Sequence, residues 1–224
     1  MPSPPLVQRV EFVTAICRGR SVLHLGCTNH PYTAEALRSG TLLHSQIQAV
    51  ASRVVGFDAD AGGLETLRQL GVTDLHRADL ERLDAVDVAE TFDVVVAGEI
   101  VEHLANPGLF LAGVRRFMHP ASRLVVTTVN AYCGLRFVLY ALRGRGGTRE
   151  PVHPDHVAYY SYATLGLLLR RHGFHVDECA FYDLGREHRP HNPWYYNLTN
   201  DVLVTLSRQL ADGLVAVCSL PREP

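Results

Sequence analysis

The chain has 224 residues, 47% of them hydrophobic and 20% charged, with a net charge of −2. That profile fits one large α/β-type domain over residues 1–224 with a full core, and gives no reason to expect a polyanion as partner. All 21 basic residues are arginine, which excludes a Schiff-base lysine, a pyridoxal-phosphate anchor and a Walker A lysine.

The start, Met1-Pro-Ser-Pro-Pro, lacks the basic and apolar regions of a signal peptide, and no apolar run reaches membrane-spanning length. The expectation is a cytoplasmic protein with no membrane contact. Cys17, Cys27, Cys133, Cys179 and Cys218 are scattered and odd in number, which argues against a disulfide framework or a zinc knuckle. The 12 histidines show no H-x-x-x-H or H-x-H spacing on a predicted regular element, so no metal is expected.

In chain order, the spacing of Leu6, Val10, Phe12, Val13 and Ile16 predicts a helix over 5–17. Ser21-Val-Leu-His-Leu-Gly26 reads as a strand ending in glycine. Residues 32–52 carry helical patterning interrupted at Gly40. Arg53-Val-Val-Gly-Phe-Asp58 is the next strand, 63–70 a helix, and 75–78 a third short strand. Phe92-Asp-Val-Val-Val-Ala97 lacks polar alternation after Asp93, as expected of a strand covered on both faces.

Asn106-Pro107 predicts an N-cap with proline in the first helical position, and Arg123 to Val129 is a fifth strand. Beyond it, 131–142 reads as an amphipathic helix, 143–149 as a basic loop, and 151–160 as an irregular polar-aromatic stretch. A helix over 162–172 is capped by Gly173, and 174–181 is a strand. An irregular loop over 186–194, a helix over 198–210 and a strand over 214–220 complete the chain. Alternation of strands and helices through Val129 predicts a doubly wound, mostly parallel sheet of seven strands.

A strand ending in glycine places backbone N–H groups at the carboxyl edge of such a sheet, where ligands bind. Asp58, at the end of the second strand, can accept the hydroxyls of a ribose. A nicotinamide dinucleotide requires G-x-G-x-x-G, whereas the chain reads Gly26-Cys-Thr-Asn-His-Pro. A nucleoside cofactor without pyrophosphate fits better.

Val22-Leu-His-Leu-Gly-Cys27, Val54-Val-Gly-Phe-Asp58, His76-Arg-Ala-Asp-Leu80 and, most specifically, Phe92-Asp-Val-Val-Val-Ala-Gly-Glu-Ile-Val-Glu-His103 carry a resemblance. Together they resemble the class I S-adenosylmethionine-dependent methyltransferases, in particular the small-molecule branch of ubiquinone-biosynthesis O-methyltransferases. The resemblance covers about residues 20–130 and, loosely, the closing helix–strand segments. It implies a Rossmann-like fold with lid helices and S-adenosylmethionine as cofactor. The cofactor residues it implies are His24, Gly26, Cys27, Thr28, Asp58, Ala59, Asp79, Leu80, Gly98 and Glu99.

Departures from the family pattern concentrate in the first motif. His24 stands where the family has an acid, and Thr28 and His30 where it has glycines. Thirty-two residues separate Gly26 from Asp58, against roughly 20 in ordinary nucleotide-binding units. His24 reads either as a hydrogen-bonded core histidine or as a substitute for the acid. Asp58 and Asp79 could instead cap the helices that follow them.

Glu99 and His103, four apart, would share one face of a helix at the ligand edge. His103, or His156, is the candidate proton acceptor; His153, Tyr159 and Tyr160 are candidate acceptor contacts, or members of an ordinary surface loop. The lid would come from the N-terminal helix over 5–18 and from 32–50 and 131–172. The expected reaction is methyl transfer to an oxygen or nitrogen of a small metabolite, with no nucleic acid involved and a homodimer left open. A non-catalytic adenosyl-binding protein and a nicotinamide-dependent oxidoreductase are the alternatives.

Overall fold

The computed structural model describes residues 4–143, 153–186 and 189–221. Arg145 and Arg149 of the basic loop lie outside them.

Eight strands form one sheet. They are β1 (Leu6–Val7), β2 (Ser21–Leu25), β3 (Arg53–Asp58), β4 (Leu75–Arg77), β5 (Phe92–Gly98), β6 (Met118–Val129), β7 (His175–Tyr182) and β8 (Gly213–Ser219). Their order is β1-β7-β8-β6-β5-β2-β3-β4. All pairings are parallel except those of β8 with β6 and β7. The seven expected strands are present, and β1 is the addition. Leu6 and Val7 pair with Phe181 and Tyr182, so the first helix, α1 (Arg9–Cys17), starts later than its apolar spacing predicts.

The interrupted segment after β2 resolves into α2 (Thr33–Arg38) and α3 (Leu43–Gln48), with Gly40 between them at φ +71°. Next come α4 (Ala61–Gln69) and α5 (Pro107–Val114); Asn106 caps α5 by accepting from the Leu109 N–H at 3.2 Å. After β6 the chain forms α6 (Gly134–Arg143), α7 (Tyr162–Arg171) and α8 (Trp194–Leu206). α8 begins four residues before the patterning predicts, and residues 208–210 turn as a separate 3-10 segment.

Side chains alternate across the sheet with the two-residue strand period. Val94 and Val96 face α1 and α3 with Val13, Val22 and Ile47. Val95 and Ala97 face the larger cluster of Phe57, Phe110, Phe117 and Leu165. Burial on both faces explains why β5 has no polar alternation. Among the described residues, no helix is long and apolar enough to cross a membrane.

β2 lies between β3 and β5, the point where strand order reverses. Ligand crevices in such sheets open there, outside the carboxyl ends of the strands.

Candidate active site

A cleft of about 490 Å3 opens at this position, with Gly26 at the end of β2, Asp58 at the end of β3, Gly98 at the end of β5 and Val129 at the end of β6 all in its wall. At that volume it is the size of a small-molecule site.

The loop after β2 is fixed by close packing. Gly26 has φ +75°, and a Cβ there would fall 2.2 Å from the Ile100 Cδ1, so only glycine fits. Its N–H donates to the Phe57 carbonyl at 2.8 Å. Thr28 donates to one oxygen of Asp58 twice, from its N–H at 2.9 Å and its hydroxyl at 2.8 Å. The other oxygen accepts from the Asp60 N–H at 2.9 Å. Asp58 therefore does not cap α4, a role that falls to Asp60. Its carboxylate is held in one orientation, and three donors leave room on its roughly four lone-pair sites.

His24 lies in the floor of the cleft, fully enclosed, with its Nδ1 3.2 Å from the Nδ1 of His44. The two rings stack with centroids 5.4 Å apart. Burial, then the neighbouring His44 and Arg9, push the His24 imidazole well below its usual range, and burial takes His44 to about 4. Both are neutral at pH 7. Sequence reading missed His44, although the segment that carries it is the additional length between Gly26 and Asp58.

Glu99 and His103 do not share a helix face. Glu99 has φ +54° and residues 101–103 form a turn, with α5 delayed until Pro107. β6 anchors this turn: the Glu99 N–H donates to the Thr127 hydroxyl at 3.1 Å, and the Thr128 hydroxyl donates to Glu102 at 2.9 Å. The Glu99 carboxylate meets Arg9 at 3.1 Å and accepts from the Tyr182 hydroxyl at 2.7 Å. Burial opposes its charge, but Arg9, Tyr182 and Arg136 outweigh it and hold the group below the usual range.

Glu102 was not singled out from the sequence. It is fully buried, lines the cleft, and has no partner for its Oε1 among the described residues. Burial chiefly, with the charge of Glu99, pushes it up to about 7. The signal was present in the Glu-Ile-Val-Glu-His run, but only the turn shows which glutamate faces inward.

Nine predicted residues meet in the cleft wall: His24, Gly26, Thr28, Asp58, Gly98, Glu99, His103, His153 and His156. Cys27 turns away into a core with Leu64 and Leu67. Ala59, Asp79, Leu80, Tyr159 and Tyr160 lie outside the wall. Asp79 caps the following 3-10 turn, accepting from the Glu81 N–H at 2.9 Å, and Leu80 is core. The Tyr159 hydroxyl is 3.2 Å from the Nδ1 of His156, and Tyr160 forms a bridge with Asn130.

His103, His153 and His156 converge, with ring centroids 4.6 to 5.6 Å apart. Burial comes first among the causes that lower His103 and that take His156 to about 4; the neighbouring imidazoles add to the effect. The expectation that no histidine group suits a metal rested on spacing within regular elements. These three come from a turn and a loop that only the fold brings together.

Residues 5–178 match the model of a methyltransferase domain. The chain belongs to this methyltransferase family, as its motifs implied. A ubiquinone biosynthesis O-methyltransferase from Chelativorans sp. (strain BNC1) is 29% identical over 165 residues, covering 68% of this chain and 60% of that protein. The chain thus spans less than two thirds of that relative's length. Two solved structures share the fold. One is a SAM-dependent methyltransferase from Archaeoglobus fulgidus, at TM-score 0.60 and 17% identity over 94% of this chain and 91% of that one. The other is the magnesium protoporphyrin IX methyltransferase of Synechocystis PCC 6803 with bound SAH, at TM-score 0.59 and 16% identity over 95% and 82%. Fold and family confirm the doubly wound Rossmann-like architecture and leave the nicotinamide-dependent alternative without support.

Proposed function

We propose that this chain is an S-adenosylmethionine-dependent methyltransferase acting on an oxygen or nitrogen of a small molecule. The observation that carries the reading is a single cleft with a ribose-type carboxylate, Asp58, on one side of the strand-order reversal and proton-accepting groups on the other. Asp58 ends β3 and the Glu102–His103 turn is held by β6, three strand spacings away, or roughly 14 Å.

The cleft suits the cofactor. Its size, the oriented Asp58 and the buried His24 and Glu102 atoms without partners fit a ligand carrying both a ribose and polar groups. S-adenosylmethionine supplies a sulfonium methyl group open to in-line displacement.

Asp58 accepts from the ribose hydroxyls, with Thr28 fixing its angle, and the backbone at Gly26 lets the cofactor approach the sheet edge closely. His24 fills the position of the family's acid without bringing a charge, while Arg9 and Glu99 set the electrostatics of the adjoining wall. Holding acceptor and methyl in line lowers the entropic part of the barrier. Glu102, whose buried Oε1 has no partner among the described residues, joins His103 as the group that takes the acceptor's proton; His156, with its lower proton affinity, orients the acceptor. His153, Tyr159 and Tyr160 shape the acceptor end, and the described parts of 131–172 act as a lid with the N-terminal helix, a reading supported by Arg9 and the 153–156 loop in the wall. Asp79 and Leu80, beyond the wall, act only through the turn that borders the adenine side.

A cytoplasmic location and a small-molecule acceptor rather than a nucleic acid belong to the same reading. A homodimer is to be tested by mass in solution. Crystals grown with S-adenosylhomocysteine test the proposal: density with ribose hydroxyls on Asp58 is expected, and ligand bound elsewhere, or absent at saturating concentration, would overturn it.

A further inference from the structure

We propose that His103, His153 and His156 form a binding site for a divalent transition metal of the zinc class, at the acceptor end of the cleft. One ring nitrogen from each lies within 4.8 Å of the other two, and all three residues line the cleft.

The surroundings orient the rings as metal sites do. Ligating histidines use one ring nitrogen for the metal and the other for a carbonyl, carboxylate or similar partner, which fixes the ring. The His103 Nδ1 is 3.2 Å from the Asp155 carbonyl, and the His156 Nδ1 is 3.2 Å from the Tyr159 hydroxyl. Both therefore have Nε2 left for a ligand. His153 is exposed and accepts at Nδ1 from the Asp155 N–H at 3.3 Å, which likewise leaves its Nε2 for a ligand. Metal–nitrogen bonds of about 2.0–2.1 Å in a tetrahedral site place ligand nitrogens some 3.4 Å apart, so the rings need to close by at most about 1.5 Å. The described part of the 153–158 loop is joined to the turn through the Val157 N–H, which donates to the Glu102 carbonyl at 2.9 Å. It keeps the histidines together without a metal.

An all-imidazole set suits zinc, iron, nickel or copper; magnesium and calcium take oxygen ligands. Three protein ligands leave a fourth position open, the arrangement of reactive rather than purely structural sites. All three histidines line the cleft, so that position would be reached from it. It would take water or an oxygen of the acceptor. A hydroxyl bound there would lose its O–H proton to water in the cleft more readily, and His103 would then serve as a ligand in place of proton acceptor. This last role rests on the methyltransferase reading; the metal site itself does not.

The test uses the untagged, chelator-stripped protein, titrated calorimetrically with Zn2+ and followed by visible absorption with Co2+. Stoichiometric binding, with the intense visible bands of low-coordinate cobalt, is expected. His103→Ala, His153→Ala and His156→Ala should each weaken binding by at least about tenfold. Absence of stoichiometric binding by the wild type, or affinity unchanged in the variants, would overturn the site. His153 is exposed, so its variant retains the fold and keeps the comparison valid. Titration of the same samples with S-adenosylhomocysteine separates the two proposals. Zinc bound without the adenosyl compound upholds the metal site and removes the cofactor reading, and the reverse result removes only the metal site.

Discussion

The Nδ1 atoms of His24 and His44 lie 3.2 Å apart in the floor of the cleft, one ring from the first-motif strand and one from the segment inserted after it. Two of the departures from the family pattern, the histidine at 24 and the added length after it, are therefore one structural unit. A histidine enclosed where the family has an acid needs a hydrogen-bond partner, and the additional helix supplies it. One ring donates and the other accepts, which requires the accepting ring to be neutral; burial keeps both rings so at pH 7.

This pair makes the fold acid-sensitive. Both histidines titrate below the usual 6.5 when folded, His44 at about 4. The unfolded chain therefore binds protons first as pH falls. The stability these residues contribute is complete above about pH 6.5 and is lost as pH drops from there toward 4. For His44 alone, a depression of that size corresponds to about 3 kcal/mol. Urea unfolding at pH 7.5 and pH 5 should show a marked drop in midpoint, and a His24→Leu/His44→Leu double variant should show a shallower one. Equal slopes would mean the pair is not the source.

Gly26→Ala should cost several kcal/mol. The left-handed backbone at φ +75° alone penalises a side chain by about 1–2 kcal/mol, and the new methyl overlaps the Ile100 Cδ1 at 2.2 Å. Adding Ile100→Ala should recover the steric part but not the backbone part. Full recovery in denaturant titrations would show that φ is not constrained here.

Much of this fold is legible in the sequence because the strands announce themselves. β2, β3, β5 and the second half of β6 are short, mostly apolar runs, and the glycine at 26, the proline at 107 and the glycine at 173 punctuate them. β1 is not legible, since two residues at a sheet edge have no period of their own. The place of Gly26 and Asp58 in the cleft wall was readable because both stand directly at strand ends. The opposite wall of the cleft was only partly so. Glu99 leaves the helical region of backbone space, which removes the four-residue spacing argument, and only tertiary packing brings Glu102 to the cleft wall and His44 against His24. Asp79 shows the converse: a motif position whose carboxylate caps its own turn.

Glu102→Gln should lower turnover by about 10²–10⁴-fold, the usual range for loss of a positioned proton acceptor. The amide keeps the bond from Thr128 at 2.9 Å and the shape of the turn, so affinity for S-adenosylhomocysteine should change little. Steady-state turnover set beside calorimetric affinity checks this; a parallel loss of both would assign Glu102 to structure.

Asp58→Ala removes the carboxylate that Thr28 and Asp60 hold in place. Hydrogen bonds to a charged group contribute about 1.5–3 kcal/mol, so adenosyl affinity should fall by roughly one to two orders of magnitude. Thr28→Val, which leaves the acid but releases its angle, should have a smaller effect in the same direction. Thermal unfolding of both variants distinguishes a binding defect from a folding one.

The most direct measurement is calorimetric titration of the wild-type protein with S-adenosylmethionine, S-adenosylhomocysteine and NAD, repeated on Asp58→Ala. Saturable binding of both adenosyl compounds at a single site is predicted, weakened in the variant, with no heat from NAD. Binding of NAD alone, or adenosyl binding indifferent to Asp58, would contradict it.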